Sequence, residues 1–165
     1  MELQLIQSRI FTVNGHRVML DFHLAELYEV ETRALKQAVK RNKNRFPVDF
    51  MFQLSKQEWY ELITICDNLP DNIKHSPVTP SAFTEQGVAM LSGILNSEKA
   101  IGVNIAIMRA FVATRQYLTN YNDLKNKLEE LEKNMNLKFD DVYQAINYLL
   151  SPKGQRSIVK GYRED

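Results

Sequence analysis

The chain predicts a mixed α+β domain, small and of winged helix-turn-helix type, followed by a long helical extension. Three observations predict it. The dipeptide Asn14-Gly15 interrupts an alternating stretch, residues 9–20, and marks a β-hairpin, because both central residues of a two-residue turn take positive φ. Two short helical patterns separated by a tight turn fill Leu20 to Pro47, and the second carries six Lys or Arg from Arg33 to Arg45 with no Asp or Glu. Finally, no proline stands between Pro80 and Pro152, and an apolar repeat of three and four residues develops in that stretch.

The hairpin carries His16 and Arg17 near its tip and Arg9 near its other end, so it can serve as a wing on a phosphate backbone. In the first helical pattern Asp21 is placed to cap, with Leu24 and Leu27 facing inward and Ala25 small enough for a close neighbour. The turn Glu29-Val30-Glu31 buries Val30 in this reading. Thr32 then caps a second helix whose Leu35, Ala38 and Val39 share one face, while Arg33, Lys36, Gln37, Lys40, Arg41 and Asn44 point the other way. Solvated helices usually mix both signs of charge. A one-sign helix after a helix and a short turn therefore points to phosphate neutralisation by a helix-turn-helix.

Pro47 stops the basic helix, and Asp49 to Leu54 alternates as a third strand with Phe50, Phe52 and Leu54 on one side. Ser55 to Glu58 has the spacing of a capping box, so a helix runs through Trp59 and Leu62 toward Cys66. Asp67 to Pro80, with three prolines, reads as a mobile loop. Ser81 to Thr84 is a short strand, and Thr84 caps a helix to Leu95 in which Gly87, Ala89 and Gly93 admit a close backbone. Asn96 ends that helix and Ser97 caps the next. From Glu98 to Leu118 the pattern is apolar almost all round, the signature of a central core helix, with Gly102, Ala106 and Ala110 as a small-residue stripe.

From Tyr117 a heptad places Tyr117, Leu124 and Leu131 at one core position and Tyr121, Leu128, Met135 and Val142 at the other, although Lys138 also falls on the seam. Asn134 to Asn136 is a weak point, after which Asp140 or Asp141 restarts a helix to Leu150. The domains are expected at 7–117, 118–150 for the helical coiled-coil extension, and 151–165 for a polar tail. Dimerisation through Tyr117–Leu150 is expected, with docking of the extension on its own domain as the alternative.

Composition narrows the function. The 165 residues are 44% hydrophobic and 25% charged, enough for one sizeable core. Net charge is only +1, so a nucleic-acid footprint has to come from segregated charge, which Arg33 to Arg45 supplies. A single cysteine, Cys66, excludes an internal disulfide, and no signal peptide or membrane-spanning run is present, so a cytoplasmic protein without a membrane partner is expected. His16, His23 and His75 lack metal-ligand spacing, and no phosphate-cradling glycine loop or nucleophile elbow occurs. Catalysis, a metal and a cofactor are therefore not expected.

Several phrases together resemble one family. The hairpin followed by LDFHLAELYEV, then VKRN from Val39 to Asn42, RFPVDFMFQL from Arg45 to Leu54, AFTEQGVAMLSGILNSEKA from Ala82 to Ala100 and VNIAIMRAFV from Val103 to Val112 are similar to the ORF-six N-terminal domain. This is a DNA-binding module of phages and bacteria, related to the KilA-N and Bro-N domains of antirepressors. The likeness runs from Gln7 to Val112 in the family's order. Glu29 departs from it, standing where glycine is expected after LAELY.

The resemblance implies double-stranded DNA binding by a transcriptional regulator or antirepressor. Carried over by position, VKRN places Lys40 and Arg41 on phosphates. Thr32, Arg33, Lys36 and Gln37, nearer the helix start, suit base edges, because recognition helices read with their N-terminal residues. Lys43, Asn44 and Arg45, with Arg17 of the hairpin, complete the expected surface. In the alternative, the extension captures a repressor or another protein without DNA contact.

Overall fold

Asn14 and Gly15 adopt φ of +50° and +77° and turn strand β1 (Phe11–Val13) into β2 (His16–Leu20), with Val13 opposite His16. This is the two-residue turn that the dipeptide predicts. The computed structural model describes residues 2–66 and 69–150. Helix α1 (Leu3–Gln7) precedes the hairpin, and β2 passes directly into α2 (Asp21–Tyr28). Helix α3 (Thr32–Arg41) follows, then a 3-10 turn at Lys43–Arg45, strand β3 (Met51–Gln53) and helix α4 (Lys56–Ile65). A single helical turn, α5 (Asp71–Lys74), leads to β4 (Ser81–Thr84), α6 (Glu85–Leu91) and the long α7 (Glu98–Leu150).

The four strands form one antiparallel sheet in the order β1-β2-β4-β3. Strand β2 is interior, and its Val18, Met19 and Leu20 are all buried, because alternate side chains enter different cores. Met19 and Phe83 join α2, α3, α6 and the first turns of α7 in one cluster; Val18, Leu20 and Ala82 join Leu54 and, from α4, Trp59 and Leu62 in the other. Helices thus cover both faces of the sheet. The chain divides into two units, Met1–Arg115 and Gln116–Asp165.

Several local signals hold. Ser55 and Glu58 form a reciprocal capping box, and Thr84 Oγ1 accepts the Gly87 N–H at 3.3 Å. Gly87 is required by a close approach: a Cβ there would overlap the Phe50 carbonyl oxygen and stand 3.0 Å from its carbon. Ser97 Oγ accepts from Ala100 N, as expected of a cap.

Other expectations are corrected. Leu20, not Asp21, is the N-cap of α2, and Glu31, not Thr32, that of α3; neither makes a side-chain cap. Val30 is exposed at 37%, because the turn buries backbone hydrogen bonds rather than a side chain. Glu29 takes φ +54°, and the bonds Val30 N–H to Ala25 O and Glu29 N–H to Glu26 O close a Schellman motif, the position where glycine is usual. The Asp67–Pro80 stretch contains α5, and Leu69 within it is buried in the α4 core; Asp67 and Asn68 lie outside the described residues. Helix α6 stops at Leu91, short of Leu95.

The Glu98–Leu118 part of α7 is not enclosed on every side. Ala100, Val103, Asn104, Ile107, Ala110 and Phe111 are buried, whereas Ile101, Ile105 and Val112 are 41–49% exposed, and Gly102 faces open space. A sheet-backed domain offers this helix only one wall, so half of its apolar surface stays outside. Buried Tyr28 donates its hydroxyl hydrogen bond to Asn104 Oδ1 across this wall, and burial raises the Tyr28 pKa. Further on, α7 runs without interruption through Asn134–Asn136, because the i to i+4 bonds of a long helix carry two asparagines, at 134 and 136, at modest cost. The expected polar tail, 151–165, lies outside the described residues.

Candidate nucleic-acid interface

Helices α2 and α3 with the Glu29 turn between them build the predicted helix-turn-helix. Leu35 and Val39 fix α3 to the core at 1% and 6% exposure, and Ala38 is half-buried beside them. The opposite face is open: Arg33, Lys36, Gln37, Lys40 and Arg41 are exposed, as are Lys43, Asn44 and Arg45 in the following turn. Arg33, Gln37 and Lys40 recur at steps of four and three, which aligns them along one side of α3, and Asn44 follows in the 3-10 turn. Asn42 ends the helix by donating Nδ2–H to the Ala38 carbonyl at 2.9 Å. Lys40 and Arg41 occupy the last turn, where cations complement the helix dipole.

The electrostatics are one-sided. Among the described residues, Arg33, Lys40, Arg41, Lys43 and Arg45 form no ion pair, whereas Arg9, Lys36, Lys99 and Arg115 of the same unit pair with Glu26, Asp21, Glu29 and Glu85. Five cations on one helix and its terminal turn are thus left to solvent or to a ligand. Arg45 lies against Gly93 so closely that a Cβ at 93 would collide with its guanidinium, which seats that end of the basic surface against the turn after α6.

Three predicted residues stand apart. Thr32 is half-buried at the helix start. Lys36 is held by Asp21: its Nζ is 3.0 Å from Asp21 Oδ2, which also accepts the Ser81 N–H at 2.9 Å, while Oδ1 accepts the Phe22 N–H at 2.8 Å. Asp21 is 1% exposed, so this carboxylate joins α2, α3 and β4 from the inside. Arg17 is half-buried, with Nη1 buried and lacking a hydrogen bond among the described residues. The hairpin itself is built into the sheet, with Asn14 donating to Glu58 on α4, so its outer strand and His16 are what it can offer a duplex.

Sequence reading did not find the Asp21 joint, since no local pattern links residue 21 to residue 81 before β2 and β4 pair. It also missed His23, which stacks on Phe11 and meets Phe22 at a tilt; burial, helped by Arg9, lowers its pKa to about 4. Among the described residues no group of His, Cys, Asp or Glu is arranged to hold a metal ion, and no helix is long and apolar enough to cross a membrane.

No curated protein and no solved structure matches the chain. A family model described as ORF6N domain matches residues 8–94, from the end of α1 through the hairpin, the helix-turn-helix, β4 and α6. The matched segment contains the whole basic surface and more than half of the sequence, and the chain belongs to the ORF6N domain family.

Proposed function

We propose that this ORF6N protein is a phage-related or bacterial regulator that binds double-stranded DNA through α3 and the turn after it. The observation that carries the reading is the cation set Arg33, Lys40, Arg41, Lys43 and Arg45, without an ion pair among the described residues and presented on a helix and its terminal turn that follow a tight turn and are seated by Leu35 and Val39. Rigid seating matters because base readout needs side chains fixed to within a fraction of an ångström. Arg33 and Gln37, in the N-terminal half of α3, suit bidentate contacts with base edges, with Thr32 beside them. Lys40, Arg41, Lys43, Asn44 and Arg45 suit phosphates, as does His16 at the hairpin tip. The reading needs no cofactor, metal or catalytic step.

Selection of bound duplexes from a random pool tests the division of labour. Arg33→Ala changes which sequences are enriched and costs about 1–3 kcal/mol on the preferred site, while Lys40→Ala weakens all duplexes alike. Equal, sequence-blind losses from both variants would remove the base-reading role. The exposed apolar residues of the extension favour a second reading, capture of a protein partner without DNA contact. In that case charge reversal on α3 leaves the regulatory activity intact and truncation after Leu118 removes it.

A further inference from the structure

The exposed apolar seam of the extension has a register that a regular heptad does not describe. It starts at Tyr117 and alternates steps of four and three through Leu131 to Met135; a further step of four reaches Phe139, and three and four then alternate to Leu149. All ten positions are apolar, with exposures between 48% and 71%. An uninterrupted heptad would place Lys138 and Ala145 on the seam, whereas the extra step of four replaces them with Phe139 and Ile146. Such a four-residue insertion is a stutter, which locally unwinds a supercoil without breaking its helices, and α7 is unbroken there. Long helices in water draw most of their stability from packing an apolar face, and an exposed stripe of this extent marks an interface.

We propose that a second copy of this chain covers the seam, in a parallel, in-register, two-stranded coiled coil that carries one stutter between Met135 and Phe139. Parallel pairing sets each seam residue against its own counterpart and stutter against stutter. It also brings Lys127, just before Leu128, opposite Glu132 of the second copy, just after Leu131, the flanking positions that meet across a parallel pair. The antiparallel arrangements fit less of the seam. Centred between Leu128 and Leu131, an antiparallel pair leaves Ile146 and Leu149 without seam partners. Centred on the stutter, it sets Tyr117 and Tyr121 against the sequence after Pro152, which carries no apolar repeat.

Sedimentation equilibrium of the full chain, without DNA, tests this independently of the DNA reading. The expected result is a monomer–dimer equilibrium in which Lys127→Glu or Glu132→Lys raises the dissociation constant about tenfold, two symmetric attractions having become repulsions, and the double variant restores it. Phe139→Ala weakens the dimer by about tenfold or more, while Lys138→Leu leaves it unchanged, since Lys138 lies off the seam. In a Cys66→Ser background, Leu124→Cys gives a disulfide-linked dimer on oxidation, because this seam position faces itself only in a parallel pair. A chain that stays monomeric at about 100 µM, or sediments as a trimer or larger, overturns the proposal. So does a dimer that Lys138→Leu tightens, that the charge exchange fails to restore, or that Leu124→Cys cannot cross-link.

Discussion

Replacing Asp21 by alanine separates α2, α3 and β4 at one point. The carboxylate is 1% exposed and takes three hydrogens, from Phe22 N at 2.8 Å, Ser81 N at 2.9 Å and Lys36 Nζ at 3.0 Å. Losing the acceptor leaves the Ser81 N–H without its partner, and an unsatisfied buried donor costs about 1–3 kcal/mol. The Phe22 N–H belongs to the open first turn of α2 and adds a smaller share. The Lys36 side chain is 42% exposed and rehydrates, so its attraction contributes under about 1 kcal/mol. The sum is a loss of about 3 kcal/mol for Asp21→Ala, and at most about 1 kcal/mol for Lys36→Ala. Urea denaturation followed by circular dichroism measures both. If Lys36→Ala is as damaging as Asp21→Ala, or if Asp21→Ala costs under about 1 kcal/mol, the carboxylate is not a joint for backbone donors.

Three further substitutions follow from local geometry. Gly87→Ala drives a methyl into the Phe50 carbonyl, and because the obstacle is backbone it lowers stability by about 3 kcal/mol or more, read from the thermal midpoint of unfolding. Glu29→Gly relieves a left-handed residue at a Schellman position at the expense of an exposed ion pair with Lys99, and raises stability by about 0.5 kcal/mol. His23, with a folded pKa of about 4 against 6.5 unfolded, favours the native state fully above pH 6.5; the unfolded chain takes up the proton first, so stability falls as pH drops from 6.5 to 4, by up to about 3 kcal/mol. His23→Phe, compared with wild type by denaturant titration at pH 7 and pH 4.5, flattens that part of the decline.

What the sequence made legible was local chemistry. Asn14-Gly15, the Ser55–Glu58 box and Thr84 each announce a structure closed within four residues, and Gly87 announces a close contact without naming Phe50 as the neighbour. The basic face of α3 was readable because its apolar residues, Leu35 and Val39, recur at helical spacing. What stayed hidden depends on contacts between distant segments. Lys36 looks like its basic neighbours until β2–β4 pairing delivers Asp21 and Ser81 to it. Ile101 and Ile105 look like core until the sheet and α6 are in place and only one side of α7 is covered. Val30 misled for a related reason: an apolar residue in a turn suggests burial, whereas the turn is held by its backbone bonds.

The central claim concerns the charge on α3, and duplex-DNA affinity as a function of salt reaches it most directly. Wild type and Lys40→Glu combined with Arg41→Glu are compared on the same mixed-sequence fragments, with circular dichroism confirming that both are folded. Each phosphate contact contributes about 0.9 to the slope of log affinity against log salt, so the double variant is expected to bind weakly with a slope shallower by about two contacts, and Lys36→Ala to keep the wild-type slope. Wild type that shows no salt-sensitive binding, or a double variant that matches it, would contradict the assignment of α3 as the DNA surface.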